Sequence, residues 1–182
     1  MANFDFKMTL EYAKVFKENA DYGDENAPAK SVQGSIARKG GHAIVNAYFD
    51  SDADMDKLIA SGLDLKPMGH DRILEGNSEY GNGQFIKLKR NIESNEMTFT
   101  NKGKEVTVEY GLPPKVIDLR DPETKRLWNY SEDGELGNGT KAIVRFSTYS
   151  NGSGVRLEAI AVTELVEWVQ EDKSEYADVW DV

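Results

Sequence analysis

The chain has no cysteine and only two histidines among its 182 residues. The first absence excludes disulfides and thiolate metal sites, and it fits a reducing compartment. His42 and His70 stand alone in sequence, without thiolate or Glu-x-x-His partners, so they read as structural or solvent-facing residues rather than ligands. No apolar run approaches the roughly 18–20 residues that a membrane span needs. The start, MANFDFKMTL, lacks a basic patch followed by a continuous apolar stretch, so neither a signal peptide nor a membrane partner is expected. Positive charge is also short. Lys and Arg total 22 against 32 Asp and Glu, a net charge of −10 at pH 7. A polyanionic partner must therefore be met by local clustering of cations, because the total opposes it.

The motifs of common chemistries are missing as well. Asp50-x-Asp52-x-Asp54 begins like a calcium loop, but Met55 stands where glycine is required and Ser61 where the closing Glu belongs. An acidic helix start is the simpler reading. Gly81-Asn82-Gly83 and Gly137-Asn138-Gly139 fit neither phosphate-loop pattern, and no serine sits in G-x-S-x-G. The Asn-x-Ser/Thr triplets at Asn138 and Asn151 read as turns. The sequence therefore predicts a protein that is not an enzyme and carries no metal or cofactor.

What is present centres on residues 137–168. Gly-Asn-Gly-Thr leads into KAIVRFSTY, then a Ser150-Asn151-Gly152-Ser153-Gly154 turn, then VRLEAIAVTELVEW. β-branched and aromatic residues fill both runs, so the stretch predicts a hairpin of two long strands. Ala142, Val144 and Phe146 alternate with Lys141, Arg145 and Tyr149, which puts one set in a core and the other outside; Ile143 and Ser147 share the outer face.

Upstream, residues 8–17 mix strand and helix spacing, and a strand is favoured. Residues 18–39 read as a long loop, and HAIVNAYF as a short strand. A short helix is expected over about residues 53–61, with Ser51 or Asp52 as its cap, Gly62 as its stop, and Met55, Leu58 and Ile59 on one face. In QFIKLKRNI, Ile86, Leu88 and Ile92 share one face, and Phe85, Lys87 and Lys89 the other; Arg90 falls on the apolar face, as at an edge or bulge. NEMTFT and EVTVEY flank a turn at Asn101-Lys102-Gly103-Lys104, with Met97, Phe99, Val106, Val108 and Tyr110 as the apolar alternation. KVIDL follows Pro113-Pro114, and residues 120–139 read as a loop. The fold class is mainly β: about seven short strands closed or partly closed into a small barrel, since long open edges invite pairing.

Basic residues interleaved with aromatics mark the candidate binding surface. Phe85, Lys87 and Lys89 form one group. Lys141, Arg145 and Tyr149 form a second, with Arg156 on the partner strand. Arg126, Trp128 and Tyr130 lie in the loop. Single-stranded nucleic acid requires this combination, cations for phosphates and flat rings for unpaired bases. The same residues also suit a solvated strand face with edge aromatics. Residues 171–182, EDKSEYADVWDV, hold five acids and one base. Glu171, Asp172, Glu175, Asp178 and Asp181, with Tyr176 and Trp180 among them, suit either a solubilising tail or a segment that docks a basic partner.

The run LGNGTKAIVRFSTY…GVRLEAIAVTELVEW, with the acidic aromatic end after it, resembles the single-stranded DNA-binding proteins of podovirus-type phages. YAKVFKENADYGDE, GGHAIVNAYFD and KVIDL fall in the matching order upstream. The resemblance implies an OB-fold-like five-stranded barrel with extra strands or a hairpin and one short helix, over residues 1–170, followed by a disordered acidic tail over residues 171–182. It implies a sequence-independent single-stranded DNA binder acting in phage DNA replication and recombination, in the cytoplasm of the infected host. Lys87, Lys89, Lys141, Arg145 and Arg156 then meet phosphates, Phe85, Trp128 and Tyr149 stack on bases, and Arg126 belongs to the same DNA-binding surface. The tail then contacts the phage DNA polymerase and primase-helicase, with homodimerisation through it. This sequence departs from the family in ending on Asp181-Val182 after Trp180, where the family favours a final Phe. Two alternatives stand beside this reading: a phage structural or assembly β protein, and an RNA-binding OB protein.

Overall fold

The computed structural model describes residues 3–93 and 95–168. Strand β1 spans Asn3–Lys14, so the ambiguous stretch near residue 10 is indeed a strand. Helix α1 spans Val32–Arg38, strand β2 His42–Phe49 and helix α2 Asp52–Ala60. Strands β3 (Ile73–Glu75), β4 (Gln84–Asn91), β5 (Asn95–Asn101), β6 (Lys104–Tyr110), β7 (Lys115–Asp118) and β8 (Arg126–Leu127) follow. Helix α3 (Tyr130–Asp133) and strands β9 (Thr140–Tyr149) and β10 (Gly154–Glu164) complete the order.

The expected long hairpin is β9–β10. Ala142, Val144 and Phe146 are buried while Lys141, Arg145 and Tyr149 are exposed, as the alternation requires. The eight-stranded sheet has the order β3-β4-β2-β1-β9-β10-β7-β8. Every pair in it is antiparallel except β10 with β7. The sheet curls until β4 lies beside β10, where Arg90 bridges the two strands with Nη1 3.0 Å from the Glu158 carboxylate. The circuit β1-β2-β4-β10-β9 thus makes a mainly β, OB-like barrel, left open where no ladder joins β4 to β10. Inside it Met8, Leu10, Val45, Phe49, Ile86, Leu88, Val144, Phe146, Leu157 and Ile160 are all at most 2 % exposed.

Helix α2 forms where its signals stand. The Ser51 hydroxyl accepts the Asp54 N–H at 3.3 Å, Leu58 is fully buried, and Gly62 takes a left-handed φ of 86° after the last turn. Ile59, expected to share the buried face, is exposed instead. Helix α1 lies inside the stretch expected to be loop. Ser31 caps it by accepting the Gly34 N–H at 3.1 Å, and Ile36 is buried. Gly34 is needed there, since a Cβ would lie 2.2 Å from the Pro28 carbonyl oxygen. Among the described residues, strands β5 and β6 pair only with each other, and their turn places both Lys102 and Gly103 at positive φ, the form that suits a two-residue hairpin loop.

Candidate nucleic-acid interface

Residues opposite one another on paired strands share a face, so the register lays the outward side chains in rows across β1, β2 and β4. Lys14, Ile44 and Lys89 form one row. Glu11, Asn46 and Lys87 form the next. Lys141 of β9 then leads through Thr9 and Tyr48 to Phe85 and Leu74. The lysine rows end at His42, whose strand is tied to the preceding loop by the Asp21 N–H to His42 carbonyl bond at 3.0 Å and its return at 2.8 Å.

Electrostatics mark this corner. Partial burial, then the neighbouring Lys87 charge, pulls the Lys89 ammonium below its ordinary pKa, with Lys39 adding and Asp21 opposing. His42 is pulled down by burial first and then by Lys89, with Asp21 opposing; its buried Nε2 lies 3.6 Å from Asp21 Oδ2 and has no hydrogen-bond partner among the described residues. Lys14, Lys87 and Lys89 are all exposed, and an anion placed between crowded cations relieves their repulsion. No salt bridge forms to Lys87 or Lys89 among the described residues. Glu11, the acid in these rows, accepts bonds from Asn46 Nδ2 at 3.2 Å and Tyr48 Oη at 3.1 Å, which engage its Oε1. A cleft of about 750 Å³ opens beside Gly40 and Ile92, but Asp24, Glu25 and Glu93 line it, so its charge separates it from the lysine rows.

Phe85 points outward, as the alternation predicts, yet it is only 8 % exposed. Tyr48 packs on it with ring centroids 5.0 Å apart, and Gly76 crosses so closely that a Cβ there would lie 2.8 Å from the Phe85 ring. Tyr80 packs edge-on to Tyr48 at 5.3 Å. Phe85 therefore belongs to a second aromatic layer outside the barrel and presents no open face to a base.

The remaining expected residues do not gather with Lys87 and Lys89. Arg145 is held by Asp5 through two bonds of 2.7 Å, Lys141 lies 3.4 Å from Glu164, and Arg156 lies 2.7 Å from Glu158. Arg126 and Trp128 sit at the far end of the sheet order from β4. There Arg126 grips Asp133 at 2.7 and 2.8 Å and reaches Asp118 at 3.0 Å. Trp128 is 8 % exposed, donates Nε1–H to the Gly134 carbonyl at 3.0 Å and lies under the Arg120 guanidinium at 5.0 Å. It belongs to the core, not to an open loop surface. Tyr149 is 46 % exposed, with its ring over Gly154 at the turn end of the hairpin. Glu171, Asp172, Glu175, Tyr176, Asp178, Trp180 and Asp181 lie outside the described residues.

Sequence reasoning missed Lys14, Lys39 and His42, which join the site only through cross-strand register and loop closure. It also missed Tyr12. The β1–β2 register slips between Glu11 and Lys14, and Tyr12 sits in that bulge at φ 52° with 65 % of its surface exposed. The available signal was the break in alternation between Leu10 and Ala13, both buried. No group of three or more His, Cys, Asp or Glu residues suited to hold a metal occurs among the described residues, and no helix there is long and apolar enough to cross a membrane.

No protein-family model matches the chain, and no curated protein matches it. Among solved structures, a single-stranded DNA-binding protein from bacteriophage Enc34 is similar over 98% of this chain and 89% of its own, with 11% sequence identity and a TM-score of 0.43. A likeness of that size carries no weight for function.

Proposed function

We propose that this protein binds single-stranded DNA without sequence preference and serves phage DNA replication and recombination. The observation that carries the reading is the pair of outward rows holding Lys14, Lys89 and Lys87, bordered by the Tyr48–Tyr80–Phe85 aromatic layer. The rows cross three strands, about 10 Å at the usual strand spacing, a width that suits one nucleic-acid strand. The faces of strands two and three are also where an OB barrel takes oligonucleotides, and here those strands are β2 and β4. A strongly acidic body favours a partner that touches only this patch over a duplex that wraps more of the surface.

The resemblance of residues 137–168 and of the acidic aromatic end to podovirus-type proteins supports the phage role. On that reading residues 1–170 are the DNA-binding domain, and residues 171–182 contact the phage polymerase and primase-helicase and support homodimerisation. The protein then acts in the cytoplasm of the infected bacterium and needs neither cofactor nor catalytic group.

The test is fluorescence anisotropy of labelled oligo-dT, oligo-rU and duplex DNA over a salt series. The expected result is tightest binding to oligo-dT, with a log–log salt slope of about −0.7 per phosphate contacted. Preference for oligo-rU would transfer the function to RNA, and binding to none of the three would leave a structural or assembly protein. Removing residues 171–182 is expected to tighten oligo-dT binding at low salt, because an acidic tail competes with DNA for the lysines.

A further inference from the structure

We infer that Tyr12 is a base-stacking residue, held out of the barrel by a strained bulge so that its ring stands open at the edge of the lysine rows. The inference rests on the single-stranded DNA reading and adds to it a contact that the β-strand pattern conceals.

A regular strand would have carried Tyr12 inward, two residues after the buried Leu10. Instead the chain bulges, and Ala13 and Val15 take the next core positions at 8 % and 0 % exposure. The result is a tyrosine at φ 52°, a region that bulky side chains adopt at a cost in free energy and that glycine adopts freely. Strain of this kind persists only where the surroundings impose it. Here they do so from the loop before β9. The Asn138 side-chain oxygen accepts the Tyr12 N–H at 2.8 Å, and the Gly139 N–H donates to the Leu10 carbonyl at 2.9 Å. The Gly-Asn-Gly-Thr segment thus holds the bulge.

The position suits a stacking role. Tyr12 follows Glu11 of the Glu11–Asn46–Lys87 row and precedes Lys14 of the Lys14–Ile44–Lys89 row. The segment that holds Tyr12 also borders Tyr80, since a Cβ on Gly139 would lie 3.6 Å from the Tyr80 ring. Tyr80 packs on Tyr48, and Tyr48 on Phe85, so the Asn138-Gly139 segment joins the exposed Tyr12 to an otherwise covered aromatic layer. Phosphates on Lys14 and Lys89 leave bases to find a ring close by, and Tyr12 is 65 % exposed there.

The experiment compares the full chain with Tyr12→Gly, Tyr12→Phe and Asn138→Ala. Oligo-dT affinity, its salt slope and the melting temperature are read together. Tyr12→Gly is expected to weaken oligo-dT binding about tenfold, the size of one lost stacked base. Its salt slope stays unchanged, since no phosphate contact is lost. Its melting temperature is equal to or above that of the parent, because glycine relieves the strained φ. Tyr12→Phe keeps the affinity, and Asn138→Ala loses part of it. Wild-type affinity in Tyr12→Gly, or a changed salt slope, overturns the stacking role while the parent's own binding stands. A parent chain that binds no oligonucleotide overturns the function itself.

Discussion

Arg90 on β4 and Glu158 on β10 meet with Nη1 and Oε2 3.0 Å apart, at the place where the barrel lacks a ladder. The same guanidinium donates to the Gly111 carbonyl at 2.6 Å, to Leu112 at 2.8 Å and to Leu157 at 3.4 Å. Glu158 is fastened in turn by Ser147 Oγ at 2.6 Å and Arg156 at 2.7 Å. One side chain therefore stands in for a missing strand pairing. Arg90→Ala is expected to cost about 3 kcal/mol in denaturant unfolding, because it leaves several half-buried acceptors unmet. Arg90→Lys recovers less than half of that, since a single ammonium cannot reproduce the planar fork. A loss below about 0.5 kcal/mol in Arg90→Ala would mean that the seam is held by packing alone.

The ion pairs rank the cations. Lys89 has no salt bridge among the described residues, whereas Arg145 is already bound to Asp5 through Nε and Nη2. On the proposed function, DNA recruits Lys89 at once but must displace Asp5 to reach Arg145. Lys89→Ala is expected to weaken oligo-dT binding several-fold at low salt and to flatten the salt slope by about 0.7. Arg145→Ala leaves the slope within error of the parent. Salt titrations of the two variants side by side check the ranking, and the opposite order would place the DNA along the β9–β10 hairpin.

This ranking shows where the sequence was readable. Strict alternation located the β9–β10 hairpin, its buried face and the outward Lys87 and Lys89, because each depends only on local pleating. It said nothing of what covers an outward residue, so Phe85 looked open until the Gly76 segment crossed it. Nor did it pair Lys14 with Lys89, which lie 75 positions apart and meet through Ile44. Helix α1 was hidden because a seven-residue helix with one buried apolar side chain, Ile36, has no period to detect. The bulge at Tyr12 leaves only a phase shift in the pattern, which helical spacing imitates.

Trp128 is expected to behave as a core residue. Its ring is buried, its Nε1–H is bonded to Gly134, and Arg120 covers one face. Trp128→Ala should cost about 3–5 kcal/mol of unfolding free energy. The folded fraction should bind oligo-dT as the parent does. Thermal melts and anisotropy on the same preparations separate the two effects; a binding loss without a stability loss would return Trp128 to the DNA surface.

Acid sensitivity should trace to Asp118. Hydrogen bonds from Arg120, with Nε at 3.0 Å and Nη2 at 2.8 Å, outweigh the burial that opposes ionisation and hold the carboxyl down at about 2, against an ordinary 3.8. Arg126 adds its charge from 3.0 Å. A carboxyl whose folded pKa lies below its unfolded one contributes its full stability above the unfolded value and loses it as pH falls toward the folded one. Melting temperature should therefore drop from about pH 4 to about pH 2 more steeply in the parent than in Asp118→Asn, so that the two curves converge in acid. Around neutral pH the variant is less stable, because its amide lacks the charge that Arg120 and Arg126 neutralise. Parallel curves through the acid range would show that the Arg120–Asp118 pair forms no better in the folded protein than in the unfolded chain.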